Sequence, residues 1–431
     1  MSSTNASAAM IMIDGSHGEG GGQILRNAIS LACILKKNIT ITNIRANRKP
    51  KPGLKAQHMT GLQLCTKIAA TGTLTGCHLM SEEISYSYNS DHSNNNNNSQ
   101  DDEQTAVITG DTKTAGSICL LLQAALPVAL FTQRCARLKL VLKGGTNATF
   151  APQYDYWERV FLPTLERHFR LESSAIQPTV TRRGYFPQGG GHVEVAIQPL
   201  INNICLPPLN LVERGDVTHI SIRSYYAGNI SSSMARQMTD AAISELQKNQ
   251  NLCSPKQQPT VEIVHETNAV GSGYGILLVA ETTTGCRLAG SALGQPQKRK
   301  RSSSSSGNDS LAAAAAVGRA AAQELLDTLN DGGCTDEWLQ DQLIIFMALA
   351  NGESKLVTGS LTLHTRTAIW LAETITEAKF QVTRISSSTE EDDNEAASPT
   401  TDDGYGKDGR ISGKHLICCM GVGFSNVKLS D

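Results

Sequence analysis

The chain has 431 residues, 40% of them hydrophobic and 18% charged, with a formal net charge of −2. That length accommodates two or three domains, and the near-neutral balance confines any nucleic-acid contact to a local basic patch. The composition argues against a membrane span, since no apolar run approaches the ~18–20 residues a bilayer needs; against a secretory leader, since MSSTNASAA has no basic start or apolar core; and against a disulfide scaffold or zinc site, since the eleven cysteines form no CxxC pair.

In chain order, residues 1–9 read as a disordered tail and Ile11–Ile13 as a strand. The run Asp14–Gln23, DGSHGEGGGQ, lies between that strand and a helix whose apolar positions are Ile24, Leu25, Ala28, Leu31, Ala32 and Leu35. It is neither a Walker A loop nor GxGxxG. Its glycines suit a tight turn as well as close approach of the backbone to a ligand. Glu19 inside it suits a metal, an oriented phosphate-bearing group, or plain solvation. Asn38–Ile44 alternates as a strand. Arg45–Lys55 (RANRKPKPGLK) is a stiff loop with five cations and no acid, suited to phosphate or RNA backbone and equally to solvation. A second helix is expected over Lys55–Ala70.

The order then recurs. Thr105–Thr109 is a strand, Thr114–Leu126 a helix, Leu138–Leu142 a strand, Pro152–His168 a helix bent at Pro163, and His192–Ile197 a strand. Two further Gly-rich turns, Lys143–Tyr156 (KGGTNATFAPQYDY) and Arg183–Gly191, precede or interrupt these elements. Cys205–Gln295 breaks the rhythm and reads as an inserted smaller domain. Helices over Leu311–Leu329 and Asp336–Leu349 follow, then a strand at Lys355–Thr358. A βαβα unit with two further strands, repeated, predicts an α/β fold with helices packed on sheets. Capping accounts for Asp336 and Glu337, but not for Asp341 and Gln342 one turn on.

Three tracts cannot bury apolar surface and are expected to be solvated: Asp91–Gln104, rich in Asn; Gln295–Ser310, basic then Ser-rich; and the acidic Ser386–Arg410. Lys298–Arg301 (KRKR) reads as a nuclear localisation patch or a solvated charge run. Last comes GSLTLHTRTAIW, Gly359–Trp370, with His364 where Thr362 and Leu363 suit a strand end and Ala368, Ile369, Leu371 and Ala372 begin a helical pattern. Orphan N–H groups at a helix start attract phosphate, so His364 is well placed to attack phosphorus.

Taken together, DGSHGEGGGQILR, TKTAGSICLLLQ, KGGTNATFAPQYDY, RGYFPQGGG, DEWLQDQLIIFMALANG and LTLHTRTAIW resemble, in this order, the motifs of RNA 3′-terminal phosphate cyclases. The resemblance covers nearly the whole chain apart from the tail and the three tracts. It implies a large domain of three βαβαββ repeats, over 10–204 and 311–431, with a small thioredoxin-like domain, 205–294, inserted before the third. It implies that ATP, with Mg²⁺ or Mn²⁺, drives conversion of an RNA 3′-phosphate end to a 2′,3′-cyclic phosphate. His364 matches the nucleophile that becomes adenylylated. Gln123, Pro152, Trp338, Asp341 and Gln342 match the ATP pocket, with Trp338 standing where Tyr is expected. Glu19, Arg26, Arg45, Arg48 and Gln57 match positions that line the site near phosphates, and Glu19 matches a metal ligand. Residence in the nucleus, with the cytoplasm as the alternative, is expected from the absence of other signals, from KRKR and from the family. The rival reading is a non-catalytic cyclase-like protein of ribosome biogenesis, a branch that lacks the histidine; the full LHTRT context of His364 counts against it.

Overall fold

The computed structural model describes residues 9–48, 50–89, 105–201, 203–249, 258–294, 307–385 and 410–425. The expected tail (residues 1–8), the Asn-rich insert, residues 295–306 with KRKR, residues 386–409, and Lys49 of the basic loop lie outside them.

The first unit runs β1 (Met10–Asp14), α1 (Gly22–Leu35), β2 (Asn38–Thr42), α2 (Ala56–Ala69), β3 (Gly72–Thr75) and β4 (Ile84–Tyr88). β1 and β2 are parallel, and β4 and β3 complete the sheet in antiparallel pairs, giving the order β1-β2-β4-β3. A parallel pair needs a crossover, and α1 supplies it.

The second unit repeats this with β5 (Thr105–Asp111), α3 (Ile118–Leu130), β6 (Arg137–Gly144), a composite helix, β7 (Ile176–Gly184) and β8 (Gly191–Ile197), in the order β5-β6-β8-β7. The composite helix begins as α4 (Tyr154–Tyr156), passes through a π-helical turn at Trp157–Phe161 and ends as α5 (Leu162–His168). Pro163 has no N–H to offer the carbonyl of Arg159. That carbonyl accepts instead from Arg287 Nη1 at 2.8 Å. The irregularity expected at Pro163 therefore sits one turn upstream of it. α3 starts four residues later than its sequence pattern implies, because Ser117 caps it, its Oγ accepting the Leu120 N–H at 3.3 Å.

The third unit opens with the two-residue strand β9 (Asn210–Leu211) and is then interrupted. The interruption holds β10 (Val217–Ala227), α6 (Ser232–Gln247), β11 (Thr260–Glu266), β12 (Ala269–Val270), β13 (Gly273–Thr282), β14 (Arg287–Gly294) and α7 (Gly307–Asn330). The unit resumes with α8 (Glu337–Leu349), β15 (Asn351–Thr358), α9 (Leu363–Ile375), β16 (Lys379–Ile385) and β17 (Lys414–Val422), in the order β9-β15-β17-β16. The same strand order thus appears in all three sheets.

The boundaries of the insert differ from 205–294. β9 pairs in parallel with β15, so the third repeat has already begun before the insert. α7 packs on α6, β13 and β14, so it belongs to the small unit and not to the third repeat. Residues 307–310, expected within a solvated tract, are its first turn. The small sheet has the order β11-β10-β13-β14, a βαβ half followed by a ββα half. Its β12 pairs with β7, extending the sheet of the second repeat.

The cores merge into one large apolar cluster running through the units, with a small separate cluster of Tyr185, Tyr225 and Ala227. α3 and α8 are buried along most of their length, as their near-continuous apolar sequences require. The polar residues in such helices stand out: Gln123 in α3, Gln23 and Arg26 in α1, and Asp341 and Gln342 in α8.

Candidate active site

His364 lies in the first turn of α9. Thr362 and Leu363 are not a strand end: β15 stops at Thr358, and Thr362 caps α9, its Oγ1 accepting the Thr365 N–H at 3.1 Å. The imidazole is half-exposed, at 47%, on the side facing the N-terminus of α1.

Its Nδ1 stands 3.2 Å from Gln23 Oε1 and 3.3 Å from Glu19 Oε2. Gln23 is buried in the first turn of α1, and its Nε2 donates to Asp341 Oδ2 at 2.7 Å. Asp341 therefore fixes which end of the Gln23 amide meets the histidine. The two groups facing Nδ1 are both acceptors, an amide oxygen and a carboxylate, so Nδ1 carries the proton and Nε2 presents its lone pair. Burial raises the Asp341 carboxyl above its ordinary value, and the Arg26 charge and the Gln23 hydrogen bond draw it back.

Around this relay stand cations. Arg26, one turn along α1, is half-buried and donates from Nε to Gln123 Oε1 at 2.8 Å. Burial lowers its guanidinium to about 10, opposed by Asp341 and Glu19. Arg48 forms an ion pair with Glu19. Arg45 donates from Nη1 to the Gly53 carbonyl at 3.1 Å, and burial and then Arg48 lower it. Gln57 at the start of α2 accepts the Ser117 N–H at 2.7 Å, tying α2 to the cap of α3.

The structure thus joins Glu19, Arg26, Arg45, Arg48, Gln123, Asp341 and His364 in one constellation. Trp338 and Gln342 occupy the same face of α8 as Asp341, and Gln342 Nε2 donates to the Trp338 carbonyl at 2.5 Å. Trp338 Nε1 donates to Glu324 Oε1 at 3.0 Å. Asp336 is the cap of α8, as its position implies, accepting the N–H groups of Trp338 and Leu339. Pro152 is half-buried at the entry to α4 and has no hydrogen bond to the constellation among the described residues.

Two site residues were missed from sequence. Gln23 closes the glycine run, and its signal is a buried polar residue in the first turn of a helix. His58 follows Gln57. Its Nδ1 accepts the Lys55 N–H at 3.3 Å, and its Nε2 reaches toward Gly22, where a Cβ would lie 2.5 Å away. Burial, then the charges of Arg26, Arg45 and Lys55, lowers it to about 3. His58 is therefore neutral and carries its proton on Nε2.

α1 begins at Gly21 with no side-chain cap and no acid in its first turn. Its first turn supplies Gln23 to His364, Arg26 lies one turn further on, and Arg48 is paired with the Glu19 that faces the ring, an arrangement able to hold phosphate oxygens beside a nucleophile.

The sequence matches the RNA 3′-terminal phosphate cyclase family over residues 17–382. It is 39% identical over 384 residues to the probable RNA 3′-terminal phosphate cyclase of Dictyostelium discoideum, covering 88% of this chain and 79% of that protein. It is 37% identical over 375 residues to the RNA 3′-terminal phosphate cyclase of Drosophila melanogaster, covering 86% of this chain and 92% of that one. A protein of the same name from Pyrococcus abyssi is 35% identical over 366 residues, covering 84% and 92%.

Proposed function

This chain belongs to the RNA 3′-terminal phosphate cyclase family, and we propose that it closes RNA 3′-phosphate ends into 2′,3′-cyclic phosphates with ATP, through adenylylated His364. The observation that carries the reading is the relay Asp341–Gln23–His364. It holds the proton on Nδ1 and leaves Nε2 as a nucleophile from the outset, with no base needed to unmask it.

His364 Nε2 attacks the α-phosphorus of ATP. A P–N bond forms, the bond to the β-phosphate bridge breaks, and pyrophosphate leaves. Gln23 and Glu19 face the Nδ1 proton as the ring gains positive charge. An oxygen of the RNA 3′-phosphate then attacks the same phosphorus. The P–N bond breaks and the ring departs as neutral imidazole, because Nδ1 kept its proton throughout. Last, the neighbouring 2′-hydroxyl attacks the RNA phosphorus, AMP leaves, and the hydroxyl proton passes to solvent. The 2′-oxygen is already beside its target, so positioning supplies much of the acceleration. Arg26, Arg45 and Arg48 serve the phosphate charge that develops in each step.

A divalent ion fits one carboxylate here. Among the described residues no group of three His, Cys, Asp or Glu side chains is arranged to hold a metal. Glu19 is the residue that would hold an ion carried in on ATP phosphates, a mode usual for Mg²⁺. Such an ion supplies charge neutralisation at the phosphates. Nuclear residence is part of the proposal, supported by KRKR at Lys298–Arg301; a tagged chain with those four residues changed to alanine would lose nuclear enrichment.

The test is labelling. Purified protein with α-labelled ATP and a divalent cation, without RNA, is expected to take up acid-labile label, and His364→Ala to take up none. An unlabelled wild type that still binds RNA or ribosomal precursors would overturn the catalytic reading.

A further inference from the structure

β14 is the edge strand of the small sheet, paired on one side only, with β13. An edge strand leaves every second N–H without a sheet partner. Here two such groups, at Ala289 and Ser291, are both taken by carboxylates. Asp336 Oδ2 accepts the Ala289 N–H at 3.0 Å, and Glu324 Oε2 accepts the Ser291 N–H at 3.0 Å. Each carboxylate turns its other oxygen toward α8. Asp336 Oδ1 holds the first turn of that helix and also accepts from the Tyr156 hydroxyl at 2.6 Å. Glu324 Oε1 accepts the indole N–H of Trp338 at 3.0 Å.

Glu324 reaches both partners because α7 lies hard against β14. A Cβ on Gly290 would overlap the Ala321 carbonyl and the Leu325 amide, so only glycine admits the helix so close. The carboxylate is partly buried. It is held on two donors, one of them an N–H of the small unit's own sheet.

Trp338 stands three residues before Asp341 on α8, and Asp341 leads through Gln23 to His364. The indole is thus about one helical turn from the relay, on the same face. Resting on the reading that this face binds ATP, we infer that Glu324 is a positioning residue that locks the plane of the Trp338 ring, so that the small unit completes the nucleotide pocket of the large one. An indole has a single N–H, at its edge. A bond there fixes the tilt of the ring while leaving its faces for a base.

The experiment is a double-mutant cycle in the full chain, with Glu324→Leu and Glu324→Gln, each made with Trp338 and with Trp338→Phe. Phe keeps a ring face and loses the N–H. Thermal melts select folded variants, and Glu324→Gln, which retains an oxygen for the indole, is read if the leucine variant does not fold. ATP affinity is measured by calorimetry, and the maximal rate of self-adenylylation with α-labelled ATP. Glu324→Leu is expected to weaken ATP binding about five- to tenfold with the maximal rate nearly unchanged, and to change nothing further once Trp338 is Phe. Equal losses in both backgrounds, or no loss with Trp338 present, would overturn the lock. A wild type that binds ATP but takes no label would instead count against adenylylation and leave the affinity cycle readable.

Discussion

His17 lies flat on Trp370, their ring centroids 3.8 Å apart and their planes within 15°. The next two loop residues continue the pattern. Gly18, at φ +56°, sits so close to Thr367 that a Cβ would overlap its Oγ1, and Glu19 reaches His364 Nδ1 at 3.3 Å. Residues 17, 18 and 19 thus run along the 370, 367, 364 ridge of α9, one of the i±3 rows on a helix surface. The loop that the sequence shows as a glycine run is laid onto the helix that carries the nucleophile. The stack at one end anchors the carboxylate at the other. Trp370→Ala is expected to lower self-adenylylation about tenfold while leaving His364 in place, and Trp370→Phe to restore most of it. An unchanged rate in Trp370→Ala would separate the stack from the site.

Gln23 offers a sharper case. Among the described residues, its amide is the bridge by which Asp341 dictates the histidine tautomer. Gln23→Leu preserves bulk and apolar packing but removes the oxygen that faces Nδ1 and the N–H₂ that Asp341 accepts. Asp341 is then a buried carboxylate without that donor, at a cost of about 1–3 kcal/mol. The rate of label uptake is expected to fall about 100-fold. Gln23→Glu is expected to be worse, since it sets a second carboxylate against Asp341. Denaturant unfolding run beside the labelling assay separates the two effects. A stable Gln23→Leu protein that labels at the wild-type rate would remove the relay from the mechanism.

The six motifs carry the resemblance, and residues from several of them meet in space: the glycine loop lies over α9, Gln23 and Glu19 face His364, and Arg48 pairs with Glu19. What sequence could not supply was the partner of each polar side chain. Gln23 lies inside a quoted motif, but its role depends on Asp341, more than 300 residues away, and no periodicity reports that contact. His58 next to Gln57 reads as one more polar residue at a helix start until the cations around it are seen. The insert boundary failed for a similar reason. An Ala-rich amphipathic helix such as α7 announces that it packs on something, not which sheet it packs on, and a two-residue strand such as β9 is below any pattern. Thr362 suits a strand end by its β-branch, but its hydroxyl serves as a cap, the other site where Thr is favoured.

His58 makes acid stability testable. Its folded value is about 3, depressed by burial and then by Arg26, Arg45 and Lys55; an unfolded histidine titrates near 6.5. Below pH ~6.5 the unfolded chain binds a proton that the folded chain refuses. The contribution is therefore fully present above pH ~6.5 and is lost as pH falls toward 3, amounting to a few kcal/mol for this half-buried ring. His58→Asn, which retains an acceptor for the Lys55 N–H, is expected to flatten the fall of unfolding free energy between those pH values. Parallel curves for the two proteins would show that the ring does not meet that cost.

Asp155 joins the small unit to the second repeat. It is fully buried, and Arg183 of β7 grips it through two hydrogen bonds at 2.8 and 2.9 Å, while Arg223 of β10 adds a third at 2.8 Å. The arginines are shared onward: Arg223 with Glu262 and Glu266 of β11, and Arg183 with Glu266. Both guanidinium groups hold the carboxyl below the usual carboxylate range despite its burial. Asp155→Asn keeps the shape and removes the charge, leaving two buried arginines facing one another with only the glutamates to answer them. Breaking such a network from one side costs about 3–5 kcal/mol, much more than an exposed pair is worth. The urea midpoint of Asp155→Asn is expected to drop accordingly. Arg159→Ala, which cuts only the peripheral contact to Glu262, is expected to lower the unfolding free energy by less than about 1 kcal/mol. Comparable shifts for the two variants would mean that the network is held at its rim and not at Asp155.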